Sequence, residues 1–261
     1  MAMDIYGCQI EIAWEEKSTN HHRVETLLEQ SRPAKGSLLV LPEMFATGFS
    51  MNVGDISDSR TRQTQGFLGE VAKRHGVYVM GGVVTTAADG RGRNEAVVFS
   101  PAGEELARYQ KIHPFTFGGE SKHYEPGREI VTFDWGGFTV CPLVCYDLRF
   151  PEVFRLAVRR GVNLFAVVAN WPASREDHWL TLLRARAIEN LAYVVGVNRC
   201  GQDNVLSYSG RSLVIDPRGR ILADAGNGPG VIHAAVDVDM LRRYRAGFGA
   251  LEDMRAEHFP A

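Results

Sequence analysis

The chain has 261 residues, 45% hydrophobic and 23% charged, proportions that suit a globular protein with a large buried core. Basic and acidic residues number 29 and 31, giving a formal net charge of −2 with no long run of either sign, which excludes the basic footprint of a nucleic-acid or anionic-lipid binder. The longest apolar stretches hold about eight residues against the ~20 that span a bilayer. The N-terminal "MAMDIYGCQIEIAW" carries Asp4 and Glu11 where a signal peptide has a basic segment and an apolar run. A cytoplasmic enzyme or binding protein is the expectation.

In chain order, residues 20–30 place Val24, Leu27 and Leu28 on one helical face and stop before Pro33. "SLLVLP", residues 37–42, reads as a buried strand with Glu43 at its carboxyl end. A helix over 62–75 presents Phe67, Leu68, Val71 and Ala72 and is capped by Gly76, and "VYVMGGVV" follows as a strand. Two hairpins come next, one turning at residues 101–103 and one at Gly136 and Gly137. Pro151 opens a helix that ends before Gly161, "VNLFAVVAN" is a strand, residues 175–190 form a helix and "YVVGVNR" a strand. "SLVIDPRGRILA" and "VIHAAVDV" finish as hairpin-like strands. No linker or repeat divides the chain, so the pattern predicts one layered α/β domain over residues 1–261 with mixed sheets. Strands this continuously apolar need cover on both faces.

Cys8, Cys141, Cys145 and Cys200 are too few and too scattered for a disulfide framework. On one strand, Cys141 and Cys145 share a face but lie about 13 Å apart at ~3.3 Å per residue, beyond a disulfide or a common metal ion. Cys145 ends the apolar run "FTVCPLV" and is followed at once by Tyr146, Asp147 and Arg149. A nucleophile at such a sharp turn is held out of the core with free backbone N–H groups beside it. A buried packing role is the ordinary alternative for a free cysteine.

Two more strand ends carry polar residues: Glu43 in "LLVLPEMFATGF", and Lys111 with His113 in "ARYQKIHPF". Each alone reads as a cap or a solvated charge. Together, glutamate, lysine and cysteine supply what covalent amide cleavage needs. A base must take the proton of a thiol, which is mostly protonated near neutral pH, and a carboxylate in an apolar pocket holds protons tightly enough to do so. A cation must then stand beside the tetrahedral oxyanion.

The segments "LPEMFATGF", "YQKIHPF", "ESKHYEPG", "CYDLRFPE" and "VVANWPASREDHWLTLLRARAIEN" resemble the nitrilase (carbon–nitrogen hydrolase) superfamily, in order and over nearly the whole chain. That resemblance implies a four-layer αββα sandwich, with Glu43 as general base, Lys111 as oxyanion-stabilising cation, Cys145 as nucleophile and Glu120 beside the lysine. It adds the Tyr146 N–H as a second oxyanion donor, and it implies no cofactor and no metal. "LVCYDLRFP", "ANWPA" and "RARAIEN" look most like the omega-amidase branch, whose substrate is the terminal amide of 2-oxoglutaramate and related oxo-acid monoamides. Rival readings are a deaminated-peptide amidase, an N-carbamoyl hydrolase or an idle binding protein of the same fold.

The remaining residues divide between structure and site. Trp171 suits a pocket wall or the core; His113 orders the site or packs; His21 and His22 read as solvated. Arg149 meets a substrate carboxylate or anchors its turn through Asp147 or Glu152, the latter preferred, with Lys122 and Arg175 as further cations for that carboxylate. The family's habit of pairing implies a homodimer through the 175–190 helix, with Trp179, Leu182 and Leu183 on it, and through C-terminal segments.

Overall fold

A computed structural model describes residues 2–255. Among these residues, one sheet is built from β1 (Ala2–Gln9), β2 (Leu38–Val40), β3 (Tyr78–Thr86), β4 (Gly92–Phe99), β5 (Glu105–Gln110) and β14 (Gly230–Asp237), in the order β14-β1-β2-β3-β4-β5. A second contains β6 (Phe133–Trp135), β7 (Phe138–Val144), β8 (Leu164–Ala169), β9 (Tyr193–Asn198), β12 (Leu213–Ile215) and β13 (Ile221–Asp224), in the order β13-β12-β9-β8-β7-β6. A small ribbon, β10 (Cys200–Gln202) with β11 (Ser207–Ser209), stands apart from both. Each large sheet has a parallel centre, β1-β2-β3 in one and β7-β8-β9 in the other, with antiparallel strands outside it.

The pleat sorts side chains between layers. Ile5, Leu38, Val40, Met80, Ala96 and Val98 point inward and pack on Val140, Leu164 and their neighbours in the other sheet. The alternate residues Tyr6, Leu39, Val79 and Val97 face out, under Val24 and Leu28 of the helix Lys17–Ser31 and Leu68 and Val71 of the helix Gln63–His75. On the far side, Phe154 of the helix Pro151–Arg159 lies 4.8 Å from Phe165, and Trp179 and Leu183 of the helix Glu176–Glu189 close over Gly196. The layers run helix, sheet, sheet, helix, a four-layer αββα sandwich. Each fully buried Val, Leu or Phe in it contributes roughly 1.5–3 kcal/mol of transfer free energy.

Three details differ from the sequence reading. "VIHAAVDV" does not pair with the preceding hairpin: Gly230–Asp237 crosses to the first sheet and runs antiparallel to Ala2–Gln9. His21 is buried and stacks on Phe67 at 4.2 Å, its ring flat against the helix Gln63–His75, whereas His22 is exposed. Trp179 and Leu183 belong to the core and not to the outer surface of their helix. The periodicity that marks an amphipathic helix does not say which of its faces meets a sheet.

Candidate active site

β2, β7 and β8 are parallel central strands, and Glu43, Cys145 and Asn170 sit just beyond their carboxyl ends, where open α/β sheets place their sites. Glu43 follows β2 through Leu41 and Pro42, and its loop lies directly on β3. A Cβ at Gly82 would come within 2.2 Å of the Met44 nitrogen and 2.5 Å of the Glu43 Cα, so only glycine leaves room for that loop. Lys111 is the first residue after β5, tied back by its N–H to the Asn94 carbonyl at 2.9 Å. Glu120 opens the short helix Glu120–His123 after Gly119, whose φ of 79° turns the chain inward.

All three charged groups are buried and share hydrogen bonds. The Lys111 Nζ donates to Glu43 Oε1 at 3.0 Å and to both oxygens of Glu120, at 3.1 and 2.8 Å. Asn94 Nδ2 bridges the two carboxylates, 2.7 Å from Glu43 and 2.8 Å from Glu120. The other Glu43 oxygen accepts from the Asn170 backbone N–H at 2.8 Å, while Asn170 Nδ2 holds the Glu43 carbonyl at 2.6 Å. Glu43 therefore does not lie in an apolar pocket, as the sequence suggested; N–H donors surround it. Burial alone would lower the lysine, yet Glu120 and Glu43 outweigh that and hold Lys111 above its ordinary value. Burial raises Glu120, and Lys111 only partly offsets it.

Cys145 begins a 3-10 turn, Cys145–Arg149, with a φ of 46°. The strand runs to Val144, so the Cα of Cys145 keeps its strand spacing from Cys141, and the positive φ changes the direction of its side chain. Left-handed backbone costs a non-glycine residue roughly 1–2 kcal/mol, and here it goes with a thiol that faces Asn170 and the cavity. Cys8, Cys141 and Cys200 are buried, whereas Cys145 is partly exposed. Its thiol points at the Asn170 carbonyl, 4.0 Å away, and burial followed by the charge of the nearby Glu43 carboxylate pushes it well above the ordinary thiol range. At neutral pH the resting sulfur keeps its proton, with the Glu43 carboxylate close by to receive it.

The thiol faces a cavity of about 490 Å³ walled by Trp14, Phe49, Phe115 and Trp171, with Arg149 and Arg175 among its lining residues. Trp171 serves both as wall and as core, since it also packs on Trp179 at 5.7 Å. Arg149 does not pair with Asp147 or Glu152: it stacks 4.7 Å over Trp171 and meets His178 Nδ1 at 3.1 Å. Arg175 lies 5.5 Å over Phe115. Among the described residues neither guanidinium has a carboxylate within ion-pair distance, and burial and then Tyr146, Arg175 and Cys145 act on Arg149 with a net lowering. Lys122 is exposed and lies outside the cavity lining. Sequence reasoning missed Asn94 and Asn170; Asn170 was legible as the polar end of "VNLFAVVAN", but Asn94 sits inside a strand and carries no local signal.

The model of the carbon–nitrogen hydrolase family matches residues 7–246 of this chain. The chain belongs to that family. Among curated members of the carbon–nitrogen hydrolase family, the "2-oxoglutaramate amidase" of Bacillus subtilis (strain 168) is 33% identical, over 98% of this chain and 99% of its own. The "Omega-amidase YafV" of Yersinia enterocolitica is 38% identical over 93% of each. The solved structure of XC1258 from Xanthomonas campestris, a superfamily protein with an arsenic adduct in its active site, superposes with a TM-score of 0.92 at 35% identity over 98% of both chains. The helix–sheet–sheet–helix layering is thus that of the family.

Proposed function

We propose that this hydrolase is an omega-amidase that cleaves the terminal amide of a short 2-oxo-dicarboxylate monoamide of the 2-oxoglutaramate type, releasing ammonia. One observation carries the reading: a single buried carboxylate, Glu43, bonds both the Lys111 ammonium and the Asn170 backbone, whose carbonyl faces the Cys145 thiol, beneath a cavity lined by two arginines that have no acidic partner among the described residues. The names of the two curated relatives support it, as does the arsenic adduct in the related structure, arsenic being thiophilic.

The chemistry follows from the contacts. Glu43 takes the thiol proton as Cys145 Sγ attacks the amide carbon, so the thiolate forms only as it is consumed. Lys111 Nζ turns to the new oxyanion, joined by the Tyr146 N–H, one of the first N–H groups of its 3-10 turn, which such turns leave without an internal partner. Glu120 and Asn94 keep the lysine charged and in place. Protonated Glu43 gives its proton to the leaving nitrogen; ammonia departs and a thioester remains. Glu43 then takes a proton from water, the hydroxide adds to the thioester, and collapse restores the thiol and frees the acid. Arg149 and Arg175 would receive the substrate's free carboxylate.

Ammonia release from a panel of small amides tests this. Activity is expected on 2-oxoglutaramate, and Arg175→Ala should raise KM at least about tenfold with a smaller change in kcat, since the carboxylate contact serves ground and transition states alike. Turnover confined to carbamoyl compounds, deaminated-peptide amides or nitriles would remove the omega-amidase assignment.

We also place the protein in the cytoplasm, where its four unpaired cysteines stay reduced, and propose that it works as a homodimer. Exposed Leu156, Ile188 and Phe248, on or beside the helices Pro151–Arg159, Glu176–Glu189 and Val238–Gly247, supply an apolar face for the second copy. Sedimentation at micromolar concentration should give twice the chain mass; a monomer alone would refute the pairing.

A further inference from the structure

Asp147 lies two residues beyond Cys145, is wholly buried, and takes no part in the steps above. Its carboxylate accepts four hydrogen bonds: from the Val144 N–H at 3.2 Å, the Tyr109 hydroxyl at 2.8 Å, the His113 N–H at 2.9 Å and His113 Nδ1 at 2.8 Å. A carboxylate only accepts, so Nδ1 is the protonated nitrogen of His113. Burial and then Asp147 hold the Tyr109 hydroxyl far above its ordinary value, so it too remains a donor.

The donors come from two places. Val144 immediately precedes the nucleophile, whereas Tyr109 and His113 stand two residues either side of Lys111. Between the two sheets the contact is mostly apolar, and that attraction is non-directional and tolerates sliding; a few polar links, such as Asn170 to Glu43 and Ser212 to Gln9, tie their edges. Asp147 adds directional bonds between the end of β7 and the end of β5. From the opposite side Arg186, itself buried, donates to the Leu148 carbonyl through Nε at 3.1 Å and Nη2 at 2.7 Å, pinning the same turn to the helix Glu176–Glu189. The left-handed Cys145 is thus held at residues 144, 147 and 148. Strained backbone of this kind persists only where its surroundings over-determine it.

We propose that Asp147, acting through Tyr109 and His113, is a positioning residue that fixes Cys145 Sγ relative to Lys111 Nζ and Glu43. The assignment rests on the roles given above to Cys145 and Lys111. Asp147→Asn keeps the shape but sets an NH₂ group against donors. In the full-length protein, kcat on 2-oxoglutaramate should fall about 100-fold with KM within about threefold, the effect of displacing a reacting atom by about 1 Å. Alkylation of Cys145 by iodoacetamide, followed by mass spectrometry, should slow at least tenfold because the thiol loses its aligned acceptor. This second readout does not depend on the substrate assignment, so it decides the matter even if the wild-type protein leaves 2-oxoglutaramate untouched. His113→Asn retains a donor where Nδ1 stood and should keep kcat and the alkylation rate within about threefold, whereas His113→Leu should lose tenfold or more in both. That pair, with Tyr109→Phe, carries the test if Asp147→Asn does not fold. Wild-type kcat and alkylation in Asp147→Asn or His113→Leu, or equal damage from His113→Asn and His113→Leu, would overturn the proposal.

Discussion

Cys145→Ala should reduce ammonia release to background while leaving the fold intact. The side chain borders the existing cavity, so its loss opens little new void, and no other cysteine lies beside Glu43 to accept the acyl chain. The loss should reach several orders of magnitude and should not deepen when Glu43→Ala is added, because residues that act as one unit lose their effect together. Enzyme quenched during turnover should carry an acyl mass on Cys145 in the wild type and none in the variant. Cys8→Ala, Cys141→Ala and Cys200→Ala should keep kcat and lower stability by about 1 kcal/mol each, the scale for removing one buried heavy atom. Full turnover in Cys145→Ala, or an acyl adduct on another cysteine, would end the mechanism.

Lys111→Ala should fail twice over. Loss of a preorganised oxyanion donor typically lowers kcat by about 10² to 10³, and here Glu43 and Glu120 would be left facing one another in a buried site with Asn94 alone between them. Breaking a buried ion pair by removing one partner costs about 3–5 kcal/mol. The deficit should depend on pH with a definite sign. Burial already raises Glu120 above its unfolded value and Lys111 is what lowers it, so the variant raises it further. A carboxyl raised on folding is protonated without penalty in acid, and its destabilisation appears as pH climbs through and beyond the unfolded value of about 4.3. Thermal unfolding of the variant relative to wild type should therefore be closer at about pH 5 than at about pH 8. A deficit that shrinks as pH rises would contradict the assignment of Lys111 as the counter-charge.

Much of this arrangement was legible in the sequence because strand ends are marked locally. An unbroken apolar run followed by one polar residue placed Glu43 and Cys145 where the parallel strands stop, and a hairpin followed by Lys111 placed the third group. What escaped was everything decided between distant segments. Asn94 is an inward residue of an ordinary strand, chosen by the two carboxylates it bridges and by nothing beside it in the chain. Arg149 had two acids within three residues, which made a local pair the natural reading, yet the aromatic face of Trp171, distant in sequence, takes it. The crossing of Gly230–Asp237 to Ala2–Gln9 was hidden for the same reason: a strand's pattern records that it has two covered faces, not which neighbour it joins.

That crossing governs the timing of assembly on the ribosome. Ala2–Gln9 emerges long before Gly230–Asp237 and must await it to complete its pairing, and closing so long a loop costs about 3 kcal/mol more in chain entropy than closing a short hairpin. Until that strand arrives, the sheet bearing Glu43 and Lys111 offers the unpaired edge of Ala2–Gln9 to other nascent chains. Polypeptides released before residue 230 would hold all the reactive side chains without the closing strand of the sheet that aligns them. Translation errors of this kind should therefore yield substrates for chaperones and proteases, not partial catalysts.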